Sequence, residues 1–231
     1  MQKKTDNIEL FTGKADAYAK SRPGYPPEAI EYIAALVPKT AVFADIGAGT
    51  GIFTKLLAEK GYTVFAAEPN TDMESHLRSI LAPYKNASIL TNPGENTQLA
   101  DKSVDAIVCA QSLHWLDLKA FKQECLRIGK NGCQVFAIYN ITPGGNSKIH
   151  CREATSSFFK NPVLREFSHP IMYTREKWVS YMTSHSHNPL PGDPDYDRHI
   201  EKVNRIFDRE SAGGILEHRA LTRVFHEKIC Y

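Results

Sequence analysis

The sequence predicts an α/β fold, a doubly wound and mostly parallel sheet, on three observations. Short apolar runs alternate with helical stripes from about residue 41 to residue 140. A glycine cluster stands between the first run and its helix. The run Val104 to Ala110 is largely apolar, which suits a strand buried on both faces. Strands separated by helices need right-handed crossovers and put helices on both faces of the sheet.

Each element follows in order. Val42 to Ile46 reads as the first strand, and the stripe Ile52, Phe53, Leu56, Leu57 as a helix ending at Lys60-Gly61. Thr63 to Ala67 is the second strand. Thr71-Asp72-Met73-Glu74 reads as a capping box that opens a helix with Met73, Leu77, Ile80 and Leu81 on one face, and Pro83 closes it. Ser88 to Thr91 is a third strand and Val104 to Ala110 a fourth. A helix through Phe121, Cys125 and Ile128 ends at Gly129, and Asn131-Gly132 turns the chain into a fifth strand, Gln134 to Tyr139.

Outside this core the pattern loosens. Residues 1–40 read as a helical cap: a helix with Leu10, Phe11 and Tyr18, the turn Ser21-Arg22-Pro23-Gly24-Tyr25-Pro26-Pro27, then a helix from Glu28 to Leu36. Residues 141–231 read as a helical insertion after strand five, rich in aromatics from Phe158 to Tyr181, with a helix near His199 to Phe207 and a last strand from Thr222 to Ile229. The whole, residues 1–231, is expected to form a single domain with the cofactor-binding core at 41–140.

Composition narrows the function classes. The 231 residues are 42% hydrophobic and 23% charged, with a net charge of +2. Cutting after Asn140 leaves 15 basic and 15 acidic residues before it and 13 and 11 after it, so no one-sided surface for tracking phosphates is expected. No apolar run approaches the roughly 18 residues of a membrane span, and the first residues carry no signal-peptide pattern. The five cysteines are widely spaced with no Cys-x-x-Cys pair, which suits a reduced cytoplasmic protein. Seven of nine histidines follow Asn140, including His185-Ser186-His187, but without acidic or thiolate ligands at a familiar spacing; no metal is expected.

The chemistry concentrates in Asp45-Ile46-Gly47-Ala48-Gly49-Thr50-Gly51. Glycines at the carboxyl end of a strand let a ligand approach the backbone. A dinucleotide loop wants G-x-G-x-x-G, and the third glycine would then be residue 52, which is Ile52. Here it is Gly51. Asp45 would face a pyrophosphate at a cost but suits a cationic ligand such as S-adenosylmethionine, which bears a sulfonium and an ammonium and no phosphate. Glu68, twenty-one residues after Gly47, ends the second strand and can accept from both ribose hydroxyls of either cofactor.

With these residues in view, Val42 to Gly51 resembles the first motif of class I S-adenosylmethionine-dependent methyltransferases, and Val64 to Pro69 is similar to their second. Pro93-Gly94-Glu95-Asn96 matches the segment that in the family lies along the adenine. Val104 to Trp115 resembles the strand-four motif of the trans-aconitate methyltransferase-like subgroup, and Ala17 to Pro26 its leader. The resemblance implies S-adenosylmethionine as cofactor and S-adenosylhomocysteine as product. It implies a cofactor site of Asp45, Gly47, Ala48, Gly49, Gly51, Glu68, Pro69, Gly94, Glu95, Gln111 and Ser112, with Tyr18 and Arg22 from the leader. Gln111 and Ser112 would meet the methionine part.

The acceptor is expected to be a small molecule, with a carboxylate oxygen favoured by the subgroup. The N/D-P-P-aromatic signal of nucleic-acid base methylation is absent after strand four, where Gln111-Ser112-Leu113-His114 stands. A general base is needed only if the acceptor must lose a proton. His114 is the candidate base; the competing reading has His114 and Trp115 beginning a helix that packs on the cofactor side. Tyr25 and Trp115 are candidate substrate contacts. Arg22 either pairs with a carboxylate of cofactor or substrate or caps the leader helix, and the aromatics from Phe158 to Tyr181 form a lid, a core or both. Two other functions stay open: an S-adenosylmethionine-binding protein without turnover, and an NAD-dependent oxidoreductase, against which the glycine spacing speaks.

Overall fold

A computed structural model describes residues 12–13, 15, 19, 21–141, 148–185 and 188–229. Among these, helix α1 (Pro27–Ala35) precedes strand β1 (Val42–Ile46), α2 (Ile52–Glu59), β2 (Thr63–Ala67), α3 (Thr71–Leu81) and β3 (Ala87–Leu90). Then come β4 (Val104–Ala110), a single 3₁₀ turn (Leu113–Trp115), α4 (Leu118–Ile128) and β5 (Gly129–Ile141). The chain closes with α5 (Lys148–Phe158), β6 (Val163–Tyr173), α6 (Arg175–Thr183), α7 (Tyr196–Glu210) and β7 (Leu216–Lys228).

The strands form one sheet in the order β3-β2-β1-β4-β5-β7-β6. The β1–β2, β1–β4, β2–β3 and β4–β5 pairs are parallel, as the βα alternation requires. β7 pairs antiparallel with both β5 and β6. Order reverses between β1 and β4, since β2 and β3 lie to one side of β1 and β4 and β5 to the other. That is the switch point where open α/β sheets leave a crevice beyond the carboxyl ends of the strands.

Both faces of the central strands are covered. On one, Ile46, Ile107, Cys109, Val135, Ala137 and Tyr139 pack with Phe121, Cys125 and Ile128 of α4. On the other, Phe43, Val64, Val108 and Phe136 pack with Ile30 and Ile33 of α1 and Phe53 and Leu57 of α2. Double burial explains the continuous apolar runs of β1 and β4.

Several elements differ in detail from the sequence reading. The N-cap of α3 is Asn70, whose Oδ1 accepts from the Met73 amide at 3.0 Å, and not Thr71. Asparagine is at least as good a cap as threonine, so the start moves by one residue. β5 begins already at Gly129, paired with Val104. An irregularity precedes the Ala106–Gln134 pair, so the expected Asn131-Gly132 turn lies inside the strand, with Gly132 at φ 77°.

The segment after β5 is not helical throughout. It carries β6, an edge strand exposed along most of its length, and the helices α6 and α7 fall between β6 and β7. These helices build a small core of their own from Tyr173, Trp178, Val203, Phe207 and Leu216. Phe158 and Phe159 belong to the main core, where the Phe158 and Phe121 rings stack with centroids 5.4 Å apart. Core packing thus takes most of the aromatics that also suited a lid. Leu10, Phe11 and Tyr18 lie outside the described residues, as do Ser186 and His187.

Among the described residues no helix is long and apolar enough to cross a membrane, and no group of three or more His, Cys, Asp and Glu side chains could hold a metal ion.

Candidate functional site

The switch point carries a cleft of about 500 Å³ lined by Arg22, Pro23, Tyr25, Gly47, Ala48, Thr50, Ile52, Phe53, Ala110, Gln111, Asn140 and Tyr181. Its floor is the glycine loop between β1 and α2. The Gly47 and Ala48 amides both donate to the Ala67 carbonyl, at 2.9 and 3.0 Å, which ties the loop to the end of β2. Gly47 has φ 66°, and a Cβ placed on it would lie 2.6 Å from the Ser112 Cβ. Gly51, at φ 89°, is the N-cap of α2, and a Cβ there would stand 2.7 Å from Leu77 Cδ1. Glycine is therefore required twice, by backbone conformation and by contact.

Glu68 is 7% exposed and grips this loop. Its Oε2 accepts from the Gly49 amide at 2.7 Å and its Oε1 from the Asn70 amide at 2.9 Å. Burial raises its pKa while these two amides pull it back down. Asp45 lies deeper, fully buried, with Oδ2 accepting from the Thr54 hydroxyl of α2 at 2.6 Å. Its pKa rises to about 7, chiefly from burial; the Thr54 bond lowers it and the charge of Glu68 raises it further. Asp45 is not among the cleft-lining residues, and its visible partner is the helix that follows the loop.

The opposite wall comes from the end of β4. Gln111 takes a left-handed φ of 63°, donates its amide to the Ile138 carbonyl at 2.8 Å, and reaches the Asn140 carbonyl with Nε2 at 3.4 Å. Ser112 is 5% exposed and gives its hydroxyl to the Ile46 carbonyl, joining the ends of β1 and β4. Gly94 sits so close to β1 that a Cβ would fall 2.3 Å from Ile46 Cγ2. Glu95 accepts from the Asp117 amide at 2.8 Å, at the positive end of α4. Pro69, half-buried, follows Glu68 into the α3 cap.

The leader brings the cleft its cation and an aromatic edge. Arg22 donates from Nε to Ser184 Oγ at 3.1 Å and from Nη2 to the Ser184 carbonyl at 3.3 Å, where α6 ends, and its guanidinium stands 5.7 Å from the Tyr181 ring centre. Tyr25 meets Phe53 edge-on at 5.0 Å. Arg22 is thus both a tie between leader and insertion and a part of the cleft wall. The neighbouring His185 is held neutral, its pKa lowered to about 4 by burial and by the charge of Arg22.

The structure therefore brings together Gly47, Ala48, Gln111, Arg22 and Tyr25 as cleft wall, with Gly49, Gly51, Glu68 and Ser112 directly behind as the groups that shape it. Asp45, Gly94 and Glu95 shape neighbouring segments. His114 and Trp115 do not line the cleft: the His114 ring packs 4.6 Å from Trp115 and 6.0 Å from Tyr139. Tyr18 lies outside the described residues. Sequence reasoning missed Asn140 as a site residue, using it only as a boundary, and gave Thr50, Ile52, Phe53 and Ala110 structural places alone. Phe53 had a readable signal, being in the first turn after the glycine loop. Asn140 had none.

Known proteins give these features a context. Residues 44–137 match the family model described as a methyltransferase domain. The uncharacterised methyltransferase Rv3342 of Mycobacterium tuberculosis (strain ATCC 25618 / H37Rv) is 35% identical over 130 residues, 56% of this chain and 51% of that protein. The chain thus spans about half the length of the curated relatives it matches.

Among solved structures, an N-methyltransferase of Haemonchus contortus in complex with phosphomonomethylethanolamine and S-adenosylhomocysteine superimposes with a TM-score of 0.58 at 11% identity, covering 99% of this chain and 60% of that one. Geranyl diphosphate C-methyltransferase from Streptomyces coelicolor A3(2) does so with a TM-score of 0.52 at 11% identity, covering 97% and 98%. At such identities these likenesses establish the fold, the Rossmann-like fold of class I methyltransferases.

Proposed function

We propose, on the premise of the methyltransferase domain matched at residues 44–137, that the chain binds S-adenosylmethionine at the switch point and transfers its methyl group to a small-molecule carboxylate, leaving S-adenosylhomocysteine. One observation carries the reading. The loop after β1 crosses the carboxyl end of the sheet on glycines that tolerate no side chain, and the carboxylate ending β2 stands hydrogen-bonded against it. That arrangement suits a ribose whose linkage carries no phosphate, and it lacks the third-glycine spacing a pyrophosphate loop uses.

In this reading Glu68 accepts from the ribose hydroxyls, with Pro69, Gly94 and Glu95 toward the adenine. Gly47, Ala48, Gly49 and Gly51 give the close backbone approach. Gln111 and Ser112 take the methionine end, with the buried carboxyl of Asp45 below them. Arg22 closes the site from the leader, and Tyr25 belongs to the acceptor side. Methyl transfer is an in-line displacement at the methyl carbon on the sulfonium: the acceptor oxygen bonds to that carbon as the C–S bond breaks and its electron pair returns to sulfur, so alignment and exclusion of water supply much of the rate. Arg22 is the charged member of the cleft lining; Tyr25, Phe53 and Tyr181 give the acceptor an aromatic wall. Such a lining favours an anionic acceptor that is already deprotonated at neutral pH. A carboxylate fits, and it needs no base. The packing of His114 supports its reading as wall support. The free thiols of Cys109, Cys125, Cys133 and Cys151 suit a reducing compartment such as the cytoplasm.

The test is a thermal-shift titration with S-adenosylmethionine, S-adenosylhomocysteine and NAD, followed by methyl-labelled S-adenosylmethionine with a panel of small mono- and dicarboxylic acids. At a hundred times the dissociation constant a native-state ligand adds about 2.7 kcal/mol, a rise of about 5–10 °C for a chain of this size. The expected result is a rise with both adenosyl compounds, none with NAD, and a labelled ester. A rise with NAD alone overturns the cofactor. Adenosyl binding with no methylated product from any acceptor leaves a binding protein without turnover.

A further inference from the structure

Asn140 is the last polar side chain before β5 ends, and it touches three other parts of the molecule. Its Nδ2 donates to the Gly24 carbonyl of the leader turn at 2.9 Å. Its Oδ1 accepts from the Thr222 hydroxyl of β7 at 2.5 Å, and Thr222 Oγ1 lies 3.3 Å from His169 Nδ1 of β6. Its backbone carbonyl accepts from the Gln111 side chain at 3.4 Å. The Thr222 hydroxyl has one proton, which goes to Asn140, so His169 is the donor in its own contact. The bonds then run in one direction, from His169 through Thr222 and Asn140 to the leader. This also fixes which way the Asn140 amide faces: its oxygen must meet Thr222 and its nitrogen Gly24. Burial lowers the His169 pKa, and the Nδ1 proton that this contact uses is also carried by the charged ring.

We propose that Asn140 is a positioning residue: it locks the leader turn, and with it Arg22 and Tyr25, onto the sheet beside the glycine loop, so that the acceptor wall keeps a fixed register against the cofactor wall. The leader turn spans the five residues 22–26 between Ser21 and α1, with prolines at 23 and 26, and Pro27 opens the helix. Prolines 23 and 26 offer no backbone N–H, and the Gly24 carbonyl between them accepts the bond from the sheet. Arg22 makes the other tie, to Ser184, but that partner is itself on the insertion. The Asn140 bond connects the turn to the end of β5, a strand within the sheet. Calling this wall an acceptor wall rests on the proposed methyltransferase reading; the lock itself does not.

The experiment is amide hydrogen exchange of residues 21–29 in the ligand-free full chain, with calorimetric titration of S-adenosylhomocysteine alongside, for the wild type and for Asn140→Asp, Thr222→Val and Thr222→Ser. Asn140→Asp keeps the shape but cannot donate to Gly24. Thr222→Val removes the hydroxyl that orients the amide, and Thr222→Ser keeps it. Exchange in the leader turn is expected to speed up about 2- to 10-fold in Asn140→Asp and Thr222→Val, the range one hydrogen bond is worth. Thr222→Ser should restore the wild-type rate, with amides of β1 and β4 unchanged in all three. A generally weakened fold would raise exchange in those strands as well. Wild-type leader exchange in Asn140→Asp and Thr222→Val, or acceleration spread over the whole sheet, overturns the lock. If Asn140→Asp does not fold, the Thr222 pair decides alone. Absence of S-adenosylhomocysteine binding by the wild type defeats the cofactor reading and leaves the exchange result to judge Asn140.

Discussion

The two walls of the cleft, the cofactor wall and the acceptor wall of the proposed function, are built by opposite strategies. The cofactor wall comes from neighbours in sequence: Asp45 and Thr54 are 9 residues apart, Gly49 and Glu68 are 19 apart, and the loop between them is one strand-to-helix turn. The acceptor wall joins Gly24 to Asn140 across 116 residues and Arg22 to Ser184 across 162. In the first wall, backbone conformation does the positioning, and left-handed φ angles with close neighbours favour glycine at 47 and 51. In the second, side-chain hydrogen bonds hold together three segments that have no local reason to meet. A family can therefore keep the first wall while altering the second residue by residue, which suits a common cofactor and varied acceptors.

If the cofactor wall depends on its backbone, its most damaging substitution is the one that frees the loop. Glu68→Ala removes a carboxylate that holds two amides and, in the proposed function, two ribose hydroxyls. Hydrogen bonds to charged groups contribute about 1.5–3 kcal/mol each, so S-adenosylhomocysteine affinity is expected to fall at least about 100-fold by calorimetry. Glu68→Gln, which keeps one accepting oxygen, should lose about a tenth as much. Equal affinity in Glu68→Ala and the wild type would make this carboxylate a mere loop brace.

The same contrast explains what could be read in the sequence. Every strand of the cofactor half, the glycine loop and Glu68 were legible because each is set by local periodicity or by a turn chemistry that leaves a fixed residue pattern. The N-cap of α3 slipped by one residue because Asn70 and Thr71 are both good caps. β6 was not legible: its outward side chains Leu164, Glu166, Ser168, Pro170 and Met172 mix apolar and polar residues on one exposed face, so the period-2 signal is lost. Asn140 and Ser184 were invisible for another reason. Their importance lies in partners more than a hundred residues away, and nothing in their own neighbourhood announces it.

A smaller effect sharpens the cofactor half further, through Asp45. Its pKa is raised from 3.8 to about 7, mainly by burial, with the Thr54 hydroxyl bonded to it and Glu68 the charged neighbour; the buried thiol of Cys109 is also near enough to feel its charge. The folded state therefore holds a proton that the unfolded state releases above its own pKa near 4. Stability tied to this group is fully present below pH 4 and lost as pH rises toward 7, the reverse of an ordinary salt-bridged carboxylate. Asp45→Asn, neutral at every pH, should not show this loss. The measurement is the melting temperature of both proteins from pH 4 to 8, and the gap in favour of Asp45→Asn should widen as pH rises through that window. Parallel curves would mean that Asp45 is ionised in the fold throughout.

The least effect is expected at His114, and it bears on the acceptor wall. A general base contributes about 10²–10⁴-fold to a rate that needs one, and a base with an ordinary histidine pKa would leave a limb near pH 6.5 in the pH–rate profile. His114 packs against Trp115 and Tyr139 outside the cleft lining, and a carboxylate acceptor arrives with its lone pair already available. His114→Gln is therefore expected to change kcat by less than about 10-fold, well short of that contribution, with the limb absent from wild type and variant alike. A loss of about 100-fold or more, together with disappearance of a wild-type limb, would show that the acceptor carries a proton the enzyme must remove. The carboxylate would then give way to a phenol, thiol or carbon acid, and the ring would have to swing into the cleft before methyl transfer. Such a swing needs the 3₁₀ turn at Leu113–Trp115 to move against α5, which packs on it, whereas the proposed carboxylate acceptor needs no such rearrangement.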